Sequence, residues 1–362
     1  MRKIDSLTGI RGIAALWVVF FHFRHSYGIN NVVNFDWLVD KGYWGVDFFF
    51  VLSGFVLSYN YFSKFNGPDF GFAYYKRFLV KRLARIYPLH LFTLVIHAIL
   101  LFIGYKIGQE IVFHGRCGLD SAVGNILLVH AWGFFPSLTW NYPSWSISAE
   151  WFAYLIVLLV GIRYFPRVNR TYHVLTVAVM WGALIVYTIY IGEAISYLAA
   201  NSLPRVTTEF LAGCLLYRIV PKDHHSRWAN LIFLIGFGGF AILTQLPVKY
   251  EFLLLPLIML SIYSLWVGSS LGEVIFGNRI VVFLGEISYS IYLMHPTVQF
   301  IGGFIVRNTN VLSTAANAWI ILTIKVAAVL ILSIATYYLV EKPSRRALIS
   351  VYDKLRPKFR FL

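Results

Sequence analysis

Residues 10–23 read IRGIAALWVVFFHF, and this apolar stretch decides how the rest of the chain is interpreted. It carries one cation, Arg11, and one titratable group, His22. Their spacing is close to three helical turns, which puts both side chains on nearly the same face, roughly 16 Å apart along the axis. Each would cost a few kcal/mol or more in hydrocarbon, so we expect this face to point at protein or a polar cavity.

The composition is that of a membrane protein. Of 362 residues, 59% are hydrophobic and only 13% are charged, whereas soluble domains carry about a quarter charged residues. Apolar runs near 20 residues recur along the chain and predict membrane-spanning helices. The first run lacks the cleavage site of a secretory signal, so we expect it to remain as a span. Cys117 and Cys214 have no metal or redox spacing, so we predict unpaired structural thiols and no metal site.

These runs predict an all-α, polytopic membrane bundle of about ten transmembrane helices plus one short re-entrant or interfacial segment, residues 122–135. The predicted spans are 9–28, 43–62, 86–105, 145–163, 172–191, 197–217, 228–245, 251–270, 281–302 and 318–340. With both termini cytoplasmic, most of the 31 Lys and Arg residues fall on the inner side, as the positive-inside rule prefers. The net charge of +15 therefore indicates topology and contact with membrane lipids, and not nucleic-acid binding.

Three titratable groups are predicted to share one level in the outer half of the membrane. Asp47 lies near the outer end of the second span, Glu150 enters the fourth span from the outer side, and His22 lies equally far out in the first. Each carboxylate alone could be a helix-end group facing water, and a lone intramembrane histidine could be a hydrogen-bonded core residue. Their common depth favours a functional site.

A basic helix precedes the third span on the inner side. Arg77, Lys81 and Arg85 recur every four residues, and Arg82 and Arg85 lie three apart. Such arginine pairs suit phosphate groups, because each planar guanidinium can donate twice. The alternative is an ordinary positive-inside flank that binds lipid headgroups.

Other polar residues lie within predicted spans. His295 lies in the ninth, and Lys325 in the tenth needs a partner, for which Asp47 and Glu150 are both candidates. Arg205 and Glu209, four residues apart, are more simply explained as a structural pair.

Six motifs, in order, give the chain a resemblance to the acyltransferase 3 family of multi-pass membrane O-acyltransferases. They are Gly9–Ala15 (GIRGIAA), Arg11 and His22 at their spacing, Phe49–Phe55 (FFVLSGF), Arg82–Pro88 (RLARIYP), Trp145–Glu150 (WSISAE) and Ser288–His295 (SYSIYLMH). One departure is Thr8, where many relatives have Asp. The resemblance implies a membrane acyltransferase domain over residues 1–345 and a basic cytoplasmic tail over 346–362. About twenty residues follow the last span, so we expect no fused hydrolase-like domain.

The resemblance also implies the reaction. It is transfer of an acyl group, commonly acetyl, from cytoplasmic acyl-CoA to a hydroxyl of a carbohydrate, in the plasma (inner) membrane and with no tightly bound cofactor. Family members need the residues that match Arg11 and His22 for activity, and the arginine pair that matches Arg82 and Arg85 is associated with the donor. A transporter or flippase of a lipid-linked glycan is the alternative, and a non-catalytic membrane scaffold or sensor is a third interpretation.

We therefore predict roles for ten residues. An imidazole is well matched to taking a hydroxyl proton near neutral pH, so His22 is the predicted general base or acyl relay. Glu150, or with less support Asp47, would fix its tautomer and stabilise the imidazolium. The predicted donor-binding residues are Arg11, Lys81, Arg82 and Arg85, and the predicted substrate-binding residues are Ser53, Ser146 and His295.

Overall fold

The structure, a computed structural model, describes residues 5–24, 36–107, 117–135, 137–164, 169–191, 202–220, 226–308 and 315–355. Parts of the predicted spans 9–28 and 197–217 and the end of the predicted tail, 356–362, lie outside these residues. The described residues form helices and turns without a strand, which confirms the all-α class.

The described residues contain fifteen α-helices. They are α1 (Asp5–Arg24), α2 (Asp36–Val39), α3 (Trp44–Phe65), α4 (Phe72–Lys106), α5 (Leu119–Ile126), α6 (Trp145–Phe152), α7 (Arg170–Ile191), α8 (Ser202–Ile219), α9 (Ala229–Leu243), α10 (Leu254–Trp266), α11 (Ser270–Phe276), α12 (Arg279–Glu286), α13 (Ser288–Asn308), α14 (Ala315–Thr336) and α15 (Lys342–Leu355). A 3₁₀ turn, Tyr142–Ser144, leads into α6, and π-helical turns, Ala153–Val157 and Val160–Tyr164, prolong it.

Six of the described helical stretches are long and apolar enough to cross a membrane. They are Asp5–Arg24, Trp44–Phe65, Phe72–Lys106, Tyr142–Arg163, Lys249–Trp266 and Trp319–Leu355. The predicted spans 172–191 and 228–245 correspond to the shorter apolar stretches Thr171–Tyr187 and Ala229–Leu243. The helices thus support a multi-pass membrane protein, whereas the count of about ten spans stays a prediction.

The structure divides one predicted span into two helices and continues a helix across the predicted start of the tail. The predicted ninth span, 281–302, is divided between α12 and α13, because the helix breaks at Ile287 before Ser288 begins α13. The predicted boundary between domain and tail, at 345/346, lies inside α15, which packs on α4. An ion pair of 3.1 Å between Arg77 and Asp353 joins these two helices.

Helix α1 packs against α3, α11, α12 and α13. Glycines allow its N-terminal half to approach α12 closely, since a Cβ on Gly12 would lie 2.6 Å from the backbone nitrogen of Gly285. A Cβ on Gly285 would lie 1.9 Å from the carbonyl oxygen of Thr8. Small residues at helix interfaces are typical of membrane proteins, where close backbone packing replaces the hydrophobic effect.

The predicted re-entrant segment, 122–135, consists of most of α5 and the turns after it. Its backbone is fixed by side chains of two neighbouring helices. The Ser148 hydroxyl donates to the carbonyl of Leu128 at 2.8 Å, and the His90 ring contacts the carbonyl of Asn125 at 2.9 Å. Non-helical backbone at membrane depth needs partners of this kind, because no water satisfies its polar groups there.

Candidate functional site

A cavity of about 190 Å³ lies between α1, α3, α4, the helical stretch 142–164 and α13. Six of the ten predicted site residues belong to its wall: Arg11, Ser53, Arg82, Arg85, Ser146 and Glu150. These residues come from four separate motifs. The fold therefore brings together most of the chemistry that the sequence distributes over its first 150 residues.

One part of the cavity wall is basic. Arg82 and Arg85 project from α4, and Arg11 projects from α1. The guanidinium of Arg82 lies over two rings, 5.7 Å from the centroid of Tyr61 and 5.8 Å from that of Phe78. Stacking on aromatic faces is typical of arginines that present a fixed donor fork to an anion.

Charges from other helices surround these arginines. Arg11 lies within electrostatic range of Arg85, Glu150 and Glu341. Arg345 of α15 lies within range of Arg82 and Arg85. These four guanidinium groups outnumber the two carboxylates, so this region carries excess positive charge that suits a phosphate-bearing ligand.

The Glu150 carboxylate is held by two hydroxyl donors. Ser53 of α3 donates to Oε1 at 2.8 Å, and the hydroxyl of Tyr154 donates to the same oxygen. The two donors thus fix the position of the Glu150 carboxylate in the same cavity wall as Arg11.

The other part of the wall is built by α13 and the start of α6. The Ser146 hydroxyl donates to the hydroxyl of Tyr292 at 2.8 Å, and Tyr292 donates to the carbonyl of Pro143 at 2.9 Å. The ring of Tyr292 also faces that of His295, with 5.9 Å between centroids. Tyr292 thus belongs to the cavity wall and also contacts His295.

His22 and His295 form a stacked pair. Their ring centroids lie 5.1 Å apart with an interplanar angle of 21°. The ring of Tyr142 packs against both, 4.8 Å from His22 and 5.9 Å from His295. His295 is fully buried and His22 is half-buried. The fold therefore joins two histidines that are 273 residues apart in sequence.

Asp47 lies in a buried ionic cluster apart from this pair. Its Oδ1 accepts from Arg205 Nε at 2.8 Å and lies 2.7 Å from Nη2. Glu209 lies 3.5 Å from the same guanidinium, which agrees with the predicted Arg205–Glu209 pair. The catalytic role predicted for Asp47 stays a prediction, and the structure gives this carboxylate a structural partner.

Two other groups singled out in the sequence, Lys81 and Lys325, lie outside the cavity wall. Lys81 is half-buried on α4, outside the cavity wall. The ammonium of Lys325 lies 4.4 Å from the ring centroid of Phe23, a cation–π distance. In the described part of the chain, no group of three His, Cys, Asp or Glu side chains is arranged to hold a metal ion.

Sequence reasoning missed several residues of the site. Tyr292 lies inside the motif 288–295, and Tyr142 lies just before the motif 145–150, so both had a signal in their neighbours. Gln299, Tyr154 and Arg345 had none, because they join the site through contacts between distant helices.

Comparisons with known proteins agree with the family resemblance of the sequence motifs. The sequence profile of the acyltransferase domain family matches residues 4–338. The putative peptidoglycan O-acetyltransferase YrhL of Bacillus subtilis is 25% identical over 95% of this chain and 55% of its own length. The O-acetyltransferase OatA of Staphylococcus aureus is 24% identical over 84% of this chain and 52% of its own length.

A third relative matches more locally. The acyltransferase MdmB of Streptomyces mycarofaciens is 34% identical over 42% of this chain and 38% of its own length. The chain spans about half the length of the two O-acetyltransferases, and no solved structure matches it. The family profile covers nearly the whole sequence, which confirms the resemblance seen in the motifs. The chain belongs to the acyltransferase 3 family of acyltransferase domains.

Proposed function

We propose that this protein is a membrane O-acetyltransferase that moves an acetyl group from cytoplasmic acyl-CoA to a hydroxyl of a cell-surface or lipid-linked carbohydrate. The observation that carries the proposal is one cavity whose wall runs from Arg11, Arg82 and Arg85 to Tyr292, next to the His22–His295 pair. The names of the relatives YrhL and OatA support O-acetyl transfer and a carbohydrate acceptor.

The basic wall is the proposed donor site. Acyl-CoA carries phosphate groups at one end and its thioester at the other, joined by a long flexible arm. Arg82 and Arg85, with Arg11 and Lys81 nearby, would hold the phosphates on the inner side of a plasma (inner) membrane in which both termini are cytoplasmic. The rise of α1 from Arg11 to His22, roughly 16 Å, is a distance that such an arm can cover.

His22 is the proposed general base. Its imidazole would take the proton of the acceptor hydroxyl as the hydroxyl oxygen attacks the thioester carbon. When the carbon–sulfur bond breaks, the departing thiolate would take that proton from the imidazolium and leave as free CoA thiol. The Glu150 carboxylate would stabilise the imidazolium, while Ser53 and Ser146 would line the path of the substrate. Direct attack on the thioester and a transient acyl-enzyme both fit these positions.

The test uses membranes from cells that produce the protein, because such membranes supply the natural acceptor. Radiolabelled acetyl-CoA is added, and the label in the glycan fraction and the free CoA thiol are measured together. The wild type should label glycan and release thiol. His22→Ala should lose transfer by about 10²–10⁴-fold, since that is the usual contribution of a general base.

Two results would contradict the proposal. A wild type that labels no glycan from acetyl-CoA, and releases no thiol, would support a transporter or a scaffold. A correctly inserted His22→Ala variant with near-normal transfer would remove His22 from the chemistry, and His295 would be the next residue to replace. Thiol release in a burst without acceptor would indicate an acyl-enzyme.

A further inference from the structure

A chain of hydrogen bonds ties the backbone at His22 to two other helical stretches. The hydroxyl of Tyr142 donates to Oε1 of Gln299 at 2.7 Å, and Nε2 of Gln299 donates to the carbonyl oxygen of His22 at 3.1 Å. We name these three groups, the Tyr142 hydroxyl, the Gln299 amide and the His22 carbonyl, the His22 clamp. Tyr142 begins the stretch that carries Glu150, and Gln299 lies one turn beyond His295 on α13.

The clamp contacts the last described turn of α1, which contains His22. Two carbonyl groups of this turn accept hydrogen bonds from side chains. Nη1 of Arg24 donates to the carbonyl of Phe21 at 3.4 Å, and Nε2 of Gln299 donates to that of His22 at 3.1 Å. These contacts fix where the backbone of this turn lies.

The hydroxyl of Tyr142 also sets which way the Gln299 amide faces. A primary amide has an acceptor oxygen at one side and a donor nitrogen at the other. Because the oxygen accepts from Tyr142, the nitrogen must face the His22 carbonyl. The same tyrosine ring packs 4.8 Å from the His22 ring, so one residue restrains both the backbone and the imidazole.

We propose that Tyr142 and Gln299 are positioning residues that hold the His22 imidazole at its working place against His295. The inference rests on the proposed function of His22 and adds two residues that none of the sequence motifs includes. A displaced base loses rate without losing substrate binding, and a shift of about 1 Å can cost as much as 10²-fold.

The experiment compares single and double variants in the acetyl-transfer assay. Tyr142→Phe removes the hydroxyl and keeps the ring, and Gln299→Leu removes the amide at similar size. Each should lower kcat by about 10- to 100-fold and leave the KM for acetyl-CoA within about twofold, because the donor arginines lie elsewhere. Since both act through one amide, the double variant should lose no more than Gln299→Leu alone.

The matched controls make the same two substitutions at a glutamine and a tyrosine outside the His22 clamp. The amide nitrogen of Gln245 donates to the carbonyl of Ala241 near the end of α9, and Tyr338 is a half-exposed tyrosine in the π-helical turn Tyr337–Glu341, which precedes α15. Gln245→Leu and Tyr338→Phe should keep the wild-type kcat. Gln299→Glu retains the shape and an acceptor for Tyr142 but offers the His22 carbonyl no amide donor. Its kcat should therefore fall as much as that of Gln299→Leu.

The outcomes separate this inference from the role of His22. If His22→Ala abolishes transfer while Tyr142→Phe and Gln299→Leu keep the wild-type kcat, the clamp has no positioning role. A loss of thermal stability with unchanged kcat, or losses that multiply in the double variant, would also overturn it. If His22→Ala itself keeps transfer, the proposed function fails first.

Discussion

At the residue scale, Arg82 and Arg85 show how a positive-inside flank can also be a binding site. Both reach the cavity wall, and Arg345 adds a third guanidinium from α15. Like charges repel one another, and the two carboxylates, Glu150 and Glu341, balance only part of this positive charge, so a bound anion would stabilise the arrangement. Lipid headgroups would need only exposed arginines, whereas these two also line an internal cavity.

We expect the double change Arg82→Ala and Arg85→Ala to weaken acetyl-CoA binding by about 3–6 kcal/mol, because a hydrogen bond to a charged group contributes about 1.5–3 kcal/mol. Calorimetric titration of the protein in nanodiscs measures this loss. The control is Arg77→Ala, which breaks the surface pair with Asp353 and leaves the cavity intact. Wild-type donor affinity in the double variant would make these arginines topology determinants alone.

Asp47 gives a prediction about stability. Its carboxylate and Arg205 are both fully buried, and removing one partner of such a pair typically costs about 3–5 kcal/mol. Asp47→Asn should therefore lower the melting temperature, with Glu209 at 3.5 Å keeping the loss near the lower end of that range. Thermal unfolding followed by size-exclusion chromatography measures the shift.

The matched control for Asp47 is Asp40→Asn. Asp40 pairs with Arg24 at 2.6 Å but is half-exposed, so its loss should cost less than about 1 kcal/mol. If Asp47→Asn keeps the wild-type melting temperature and loses acetyl transfer, Asp47 belongs to the chemistry and the structural role fails.

At the scale of elements, α3 and α8 pack through glycines in both helices. A Cβ on Gly213 would lie 2.0 Å from the carbonyl oxygen of Val51, and one on Gly54 would lie 2.1 Å from that of Phe210. Real Cβ atoms cannot come this close, so any side chain here must push the helices apart. This pair of helices also holds Ser53 and the Asp47–Arg205 bridge in place.

Gly213→Ala should therefore destabilise the protein by about 1–3 kcal/mol, the usual cost of overpacking. Gly182→Ala on α7 is the control, because nothing lies within 4 Å of the added carbon and alanine favours a helix by about 0.5–1 kcal/mol. Melting temperatures of the two variants should move in opposite directions. Equal stability of Gly213→Ala and wild type would show that α3 and α8 can separate without cost.

At the scale of the whole molecule, the proposed reaction requires a donor at one face of the membrane and an acceptor at the other. Orientation can be tested with single cysteines introduced after Cys117 and Cys214 are replaced. Cysteines in 28–40 and 306–314 should react with an impermeant thiol reagent in intact cells. Those in 64–80 and 346–360 should react only after the membrane is permeabilised, because the positive-inside rule places them within.

Labelling of both sets in intact cells would reject the predicted ten-span topology and, with it, the inner position of the donor arginines. A uniform failure to label the first set would place those segments within the protein or on the inner side. Binding of acetyl-CoA would remain measurable in either case, so topology and donor binding are tested separately.

The sequence by itself determined the class, the family and most of the cavity wall. Apolar runs near 20 residues long require helices, because backbone groups in hydrocarbon must be paired within their own segment. The motifs around Arg11, Ser53, Arg82 and Glu150 supplied residues that the fold gathers at one cavity. Local spacing was sufficient to identify these residues, since each motif places its side chains on one face of one helix.

Only the tertiary structure decided which residues touch across helices. It placed His295 and Tyr142 against His22, gave Asp47 to Arg205, and put Glu150 between Ser53 and Tyr154. Depth in the membrane can be counted along a sequence, and by predicted depth alone His22, Asp47 and Glu150 are equivalent. The rotation of each helix about its own axis, and the helices it packs against, cannot be counted in that way. Both depend on the close packing of glycine-lined helices, where a single added carbon would prevent the contact.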